Sequence, residues 1–206
     1  MKCLWVWNLD KKDIKSFNEF CKQKNIKKVF LNYKVYNLSK NIKVDCVPLI
    51  GDSKNELSFE EIIKICKPYK KVHLDIELAV DEDMDSYLGK LFCILNILKS
   101  ENKYIELDIE TWNKTRTYKK IIKNADEIHL MSYSPSIIGT YFKTIGFKNK
   151  PFYVGIETNP DLKISMKEPD KKIPIINFIN SFNKNYRGTS VHCWGFINDR
   201  QMHTFK

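Results

Sequence analysis

The sequence lacks the features that mark several large classes of protein. Its 206 residues include only seven glycines and seven prolines, and no segment has the low complexity of a disordered or fibrous chain. No apolar run approaches the roughly 20 residues that span a bilayer. The N-terminus shows no apolar segment followed by a small-residue cleavage site. We therefore expect a cytoplasmic protein with no membrane partner.

Paired cysteines and clustered arginines are also missing. The six cysteines are spread out without a C-x-x-C pair, which is typical of a reducing compartment. The net charge is +10, yet only three of the 35 basic residues are arginines, the residue that makes most bidentate contacts to bases. The lysines are scattered over predicted helix surfaces. This favours solvated faces over a specific nucleic-acid partner, and the oligomeric state stays undetermined.

What the sequence does contain is a repeated alternation of polar and apolar residues. The stretch 71–77 reads KVHLDIE, and a strand directs its apolar residues to one face and its histidine and two carboxylates to the other. The stretch 104–110, YIELDIE, repeats the pattern, and weaker versions end at Tyr133, Glu157 and Trp194. The recurrence suggests that the polar faces share one environment.

Strand patterns and helical patterns alternate along the whole chain. The predicted strands cover residues 3–8, 28–32, 43–50, 71–77, 104–108, 126–133, 151–157 and 188–194. The predicted helices lie near 13–24, 58–68, 81–99, 118–122, 135–147 and 174–185, and Ser58 with Glu61 forms a capping-box pattern.

Eight strands alternating with helices predict a parallel α/β fold. We expect a single compact (β/α)8 TIM barrel over residues 1–206, with short loops and a truncated last helix. An open doubly wound sheet is the alternative, but the first strand is not followed by the Gly-rich turn that binds phosphate in such sheets.

Strand parity predicts that the polar faces line the barrel lumen. The interior of such a barrel is usually filled by branched apolar side chains. Buried acids therefore need partners, because an unpaired buried charge is very costly. We expect inward histidines and lysines to supply some of them. The residues that end the strands should emerge at the C-terminal mouth, where active sites of these barrels lie.

Carboxylates at the mouth suggest glycoside hydrolysis, which needs two carboxyl groups facing each other across a sugar. Glu77 ends the fourth strand and Glu157 ends the seventh, on opposite arcs of the mouth, and Asp75 precedes Glu77. Aromatic residues near the mouth could stack on sugar rings. The further residues expected to hold a carbohydrate are Trp7, Asn8, Glu110, Trp112, Tyr133, His192 and Trp194.

The strand ends also carry a family resemblance. HLDIE at 73–77 resembles the end of the D-x-D-x-E strand-four motif of the chitinase-like family of barrel glycosidases, and MSY at 131–133 is similar to their M-x-Y. Trp194 falls where that family has a tryptophan on strand eight. Together with Gly51-Asp52, Gly155-Ile-Glu157 and His192, the order of motifs also resembles uncharacterised small barrels of the glycosidase superfamily.

The resemblance implies roles for three residues. Glu77 would be the general acid, Asp75 would support an acetamido group of the substrate, and Tyr133 would help to hold that group. The chain departs from the family pattern in being shorter, in carrying Lys71-Val-His73 in the earlier part of the motif, and in having Ser134 after the tyrosine. A Glu77 and Glu157 pair, with Glu157 as nucleophile or second carboxylate, is therefore a competing assignment.

Two other functions stay open. A metal-dependent hydrolase such as a phosphodiesterase could use the inward residues Glu106, Asp108, Glu110, His73, His129 and His192. Neither an H-x-H nor an H-E-x-x-H spacing occurs, so we assign no metal ligand and no cofactor. A non-catalytic barrel that binds a saccharide or a protein is the other possibility. A Glu77 to Glu157 separation of about 5 to 9 Å would favour hydrolysis.

Overall fold

Eight parallel strands close into a barrel in sequence order. The structure is a computed structural model that describes residues 1–52, 57–76, 83–110, 121–144, 147, 150–159 and 161–192, without the side chains of residues 52 and 110. Each strand pairs in parallel with the next along the chain, and the first strand pairs with the eighth. This topology confirms the predicted (β/α)8 barrel and excludes the open sheet.

The strands are β1 (Lys2–Val6), β2 (Ile26–Asn32), β3 (Asp45–Asp52), β4 (Lys71–Ile76), β5 (Tyr104–Glu110), β6 (Glu127–Met131), β7 (Phe152–Glu157) and β8 (Tyr186–His192). The α-helices are α1 (Ile14–Gln23), α2 (Phe59–Cys66), α3 (Met84–Ser100), α4 (Ile137–Thr144) and α5 (Pro169–Asn180). Residues 121–124 are also helical, and a 3-10 segment spans Tyr33–Asn41 between β2 and β3. Among the described residues, no helix combines the length and the apolar character needed to cross a membrane.

Most predicted elements are present, with displaced ends. The first strand ends at Val6 instead of Asn8, and the third runs two residues further than expected, to Asp52. Helix α5 begins at Pro169, five residues before its predicted start, because a proline is well tolerated in the first helical turn. The predicted truncated last helix lies outside the described residues.

Because side chains alternate along each strand, one set packs against the surrounding helices and the other set points into the barrel lumen. On β4, Val72, Leu74 and Ile76 are at most 5% exposed and belong to the large apolar cluster between barrel and helices. Their neighbours His73 and Asp75 are equally buried on the opposite face. The barrel therefore has an apolar outer layer and a lumen that accepts polar groups, as the strand parity predicts.

Large aromatic side chains fill the centre of the lumen. Trp5 and Phe30 are fully buried with ring centroids 5.7 Å apart, and they form a second apolar cluster with Val47 and Leu49. Gly155 makes room for the indole, since a Cβ there would lie 3.3 Å from the Trp5 ring. Polar residues of the lumen, among them His73 and His129, pack against these aromatic rings.

The sequence also encodes the start of the second helix. Ser58 accepts a hydrogen bond from the Glu61 amide at 3.2 Å, and the Glu61 carboxylate accepts one from the Ser58 amide at 2.7 Å. These reciprocal bonds satisfy two amides that would otherwise lack partners at the N-terminus of α2. The predicted capping box is therefore confirmed.

Candidate functional site at the barrel mouth and in the lumen

The C-terminal end of β7 holds Glu157 firmly. Its Oε1 accepts hydrogen bonds from the backbone amides of Thr158 and Asn159, both at 2.7 Å, and its Oε2 lies 2.6 Å from His192 Nδ1. The residue is only 2% exposed. Three donors around one carboxylate stabilise its ionised form.

His192 connects Glu157 to the first strand. The indole Nε1 of Trp7 donates to His192 Nε2 at 3.0 Å. Because Nε2 is the acceptor in that bond, the ring proton of a neutral imidazole lies on Nδ1 and is donated to Glu157. The chain Trp7, His192, Glu157 thus fixes the tautomer of the histidine and spans β1, β8 and β7 at the mouth.

Asp75 and Tyr133 complete the described part of the mouth. Asp75 is 3% exposed, follows His73 on the inward face of β4, and is paired in register with Gly51 of β3. The ring of Tyr133 is half-buried, with its centroid 5.8 Å from that of His192. The structure therefore brings Glu157, His192, Trp7 and Tyr133 together around one sector of the rim.

Other residues expected at the site stand apart or are not described. Asn8 is exposed and follows the end of β1. Glu77, Trp112, Trp194 and the side chain of Glu110 lie outside the described residues, so the distance between the Glu77 and Glu157 carboxyls stays a prediction.

Below the mouth, Glu106 is the centre of a buried ionic cluster. Its Oε1 contacts Lys28 Nζ at 3.0 Å and Lys71 Nζ at 2.6 Å, while its Oε2 lies 3.1 Å from His129 Nε2. Lys28 also donates to Glu127 at 3.2 Å. Burial alone would raise the pKa of Glu106, but the hydrogen bond from His129, the nearby His73 imidazole and the charge of Lys28 hold it well below its usual range.

A second set of contacts surrounds His73. Its Nε2 lies 2.8 Å from Asp108 Oδ2, which also accepts the indole proton of Trp5 at 2.9 Å. The Phe30 ring stacks on the imidazole at 3.9 Å. Burial lowers the pKa of His73, but the carboxylates of Asp108 and Glu106 outweigh it and raise the pKa to about 9.

His129 has a different balance. Its Nδ1 lies 2.7 Å from the Ser190 hydroxyl, and the Tyr153 ring stacks on it at 4.5 Å. Burial dominates and lowers the pKa of His129, in spite of the hydrogen bond with Glu106. The pKa values of the two neighbouring histidines are therefore shifted in opposite directions.

The lysines and histidines of the lumen confirm the expectation that buried acids have cationic partners. The sequence indicated the acids and histidines through strand parity, whereas Lys28, Trp5 and Ser190 were missed. Lys28 shares the inward parity of Phe30 on β2, which is the signal that could have identified it. Ser190 lies on the predicted eighth strand two residues before His192, a parity that points it into the lumen as well.

Comparison of folds places this barrel near chitinases and their relatives. It superposes on a GH18 chitinase from Flavobacterium johnsoniae with a TM-score of 0.60, 13% identity and coverage of 93% of this chain and 86% of the other. A xylanase-alpha-amylase inhibitor protein, solved with trehalose, gives a TM-score of 0.64, 14% identity and coverage of 92% of both chains. The chain spans only half of a spore cortex-lytic enzyme from Bacillus megaterium, with a TM-score of 0.51 at 13% identity.

These likenesses show that the chain shares the barrel fold of these proteins. No family model and no curated protein matches the sequence. Identities of 13 to 14% show a shared fold alone. The structural neighbours include both enzymes and an inhibitor protein, so function has to be argued from this chain's own residues.

Proposed function

We propose that this barrel binds a carbohydrate at its C-terminal mouth and hydrolyses a glycosidic bond there. The single observation that carries the proposal is the polar rim on a chitinase-like barrel, in which Trp7, His192 and Glu157 form one hydrogen-bonded chain. Such a chain presents an aromatic side chain and fixed polar groups at the end of the barrel where ligands usually bind.

In this proposal, the two carboxylates that take part in hydrolysis come from the end of the fourth strand and the residues just after it. Asp75 is buried at the C-terminal end of β4, and Glu77 follows two residues later. Glu77 acts as general acid, Asp75 as its electrostatic partner, and Tyr133 positions the substrate. An acid next to a second carboxylate retains its proton more easily, which suits proton donation to a leaving group.

Glu157 is assigned a positioning role instead of that of a nucleophile. Both of its oxygens already accept hydrogen bonds, from two backbone amides and from His192. Those bonds lower the nucleophilicity of a carboxylate and hold it in place. Glu157 then orients His192, and His192 with Trp7 holds a sugar at the mouth.

The test is a hydrolysis screen on aryl glycosides and oligosaccharides, beginning with N-acetylated sugars. We expect Glu77→Gln to lower kcat by at least about a hundredfold, the usual scale of general-acid catalysis, with little change in ligand affinity. Glu19→Gln, an exposed change on α1, is the matched control and should leave the rate unchanged. Turnover that survives intact in Glu77→Gln would remove the assignment.

A non-catalytic saccharide-binding barrel is the second candidate, and one observation favours it. Both Glu157 oxygens are engaged in hydrogen bonds within the described part of the chain, as expected of a residue that positions a ligand. Titration of the same oligosaccharides, followed by tryptophan fluorescence, separates the two functions. Saturable binding without turnover, lost in His192→Ala, would support the binding protein.

A further inference from the structure

Three buried side chains of the lumen offer one ligand atom each to a common point. One atom each of His73, Glu106 and His129 lies within 4.8 Å of the others, and all three residues are buried. Glu106 Oε2 is 3.1 Å from His129 Nε2 and 3.8 Å from His73 Nδ1. Ligands of a tetrahedral dication bound at about 2.0–2.2 Å lie about 3.3–3.6 Å apart. The two distances from Glu106 are close to that value, and the two histidine nitrogens, at most 4.8 Å apart, would move together when an ion binds.

In both histidines, the ring nitrogen that faces away from Glu106 contacts a polar side chain, as is usual for histidines that bind a metal. His73 contacts Asp108 through Nε2 at 2.8 Å, and His129 contacts the Ser190 hydroxyl through Nδ1 at 2.7 Å. In each ring, therefore, the contact at one nitrogen fixes the orientation, and the second nitrogen faces Glu106. A carboxylate or hydroxyl behind the ring fixes the tautomer of a metal-bound imidazole.

An independent observation points to a missing ligand at the same place. His73 Nδ1 is buried and has no hydrogen-bond partner within the part of the chain that the structure describes, and neither has Asp108 Oδ1. A buried polar nitrogen without a partner is costly and uncommon. The Glu106 Oε2 lies 3.8 Å from this nitrogen, a gap too long for a hydrogen bond.

We infer that His73, Glu106 and His129 form a binding site for one transition-metal dication, with Zn²⁺ as the expected ion. Two imidazoles and one carboxylate are a ligand set that zinc accepts. The site joins β4, β5 and β6 inside the barrel. It uses none of the residues assigned to the mouth, so it stands independently of the proposed carbohydrate function.

The local charges tolerate such an ion. Glu106 and Asp108 contribute two negative charges, and the two lysines that approach Glu106 contact its Oε1, leaving Oε2 for the metal. Lys28 is also paired with Glu127, and the Lys71 side chain is 34% exposed to solvent. A bound dication would displace the proton of His73 and leave its Nε2 facing Asp108.

The experiment measures binding of Zn²⁺ and Co²⁺ to protein stripped with a chelator. We expect one equivalent of Zn²⁺ by calorimetry and a Co²⁺ spectrum of nitrogen and oxygen ligands without a thiolate charge-transfer band. Because the site is buried, the titration is repeated on protein refolded in the presence of each ion. Anomalous diffraction at the zinc edge should then place the ion between the three side chains.

Variants separate this site from chance binding. His129→Gln should abolish stoichiometric binding. Asp108→Asn keeps the size of the side chain that His73 and Trp5 contact but removes its charge, and it should weaken binding by about 10–100-fold. His192→Gln is the matched control at the mouth and should keep one equivalent. Failure of both native and refolded protein to bind Zn²⁺ or Co²⁺, or equal binding by His129→Gln, would overturn the proposal.

Discussion

Replacement of Lys28 by methionine tests whether the ionic cluster is a structural core of the barrel. The lysine side chain is 7% exposed and bridges Glu106 at 3.0 Å and Glu127 at 3.2 Å. Without the Lys28 ammonium group, the carboxylates of Glu106 and Glu127 lose a positively charged partner. Breaking a buried ion pair in this way costs about 3–5 kcal/mol of unfolding free energy.

Urea denaturation provides the measurement. With a dependence of about 2–3 kcal/mol per molar, the loss should lower the midpoint by about 1–2 M without changing the slope. Lys24→Met is the matched control, because Lys24 pairs with Asp170 at 2.7 Å but both side chains are 20–29% exposed. That partly exposed pair should contribute only up to about 1 kcal/mol.

A double-mutant cycle identifies the partner. Lys28→Met combined with Glu106→Gln should be less destabilised than the sum of the single changes by about 1–3 kcal/mol, since the two groups are in contact. If the effects add to within about 0.5 kcal/mol, or if Lys28→Met costs no more than Lys24→Met, the cluster does not stabilise the barrel as argued.

Two further predictions concern neighbouring strands. In chelator-treated protein His73 has its pKa raised from 6.5 to about 9, so its stabilising contribution is full below 6.5 and is lost as pH rises through about 9. Unfolding free energies measured across that range should fall, and Asp108→Asn should flatten the profile. Gly51→Ala should destabilise, because φ is +151° and a Cβ would lie 1.8 Å from the Asp75 carbonyl oxygen. The control Gly89→Ala, in an exposed and open helical position, should raise the free energy of unfolding by up to about 1 kcal/mol. Stabilisation by Gly51→Ala together with destabilisation by Gly89→Ala would refute this account.

The fold could be predicted because it depends on local periodicity. A strand repeats every two residues, so the pattern KVHLDI already assigns Val72 to the outer core and His73 to the lumen. Caps are equally local, and the Ser58 pattern was sufficient to place the start of α2. Element ends were less predictable, because they depend on where neighbouring strands stop pairing.

The contacts inside the lumen could not be predicted in the same way. Trp5 and Asp108 are 103 positions apart in sequence, and their hydrogen bond depends on the relative stagger of all intervening strands. Local patterns do not contain that stagger, which is a property of the closed barrel. Parity therefore indicates which residues face inward, whereas the choice of partners requires the three-dimensional structure.

The surroundings of Glu157 affect how the mouth can work. The sequence predicts Glu157 as a nucleophile or second carboxylate opposite Glu77. In the structure, the backbone amides of Thr158 and Asn159 donate to its Oε1, and His192 Nδ1 lies 2.6 Å from its Oε2. An ionised carboxylate has about four acceptor positions, and residues in the described part of the chain already use at least three of those of Glu157. These bonds fit the positioning role that we propose for Glu157, and under that proposal Asp75 and Glu77 carry the hydrolysis. Loss of His192 should therefore weaken sugar binding, whereas loss of Glu77 should abolish turnover.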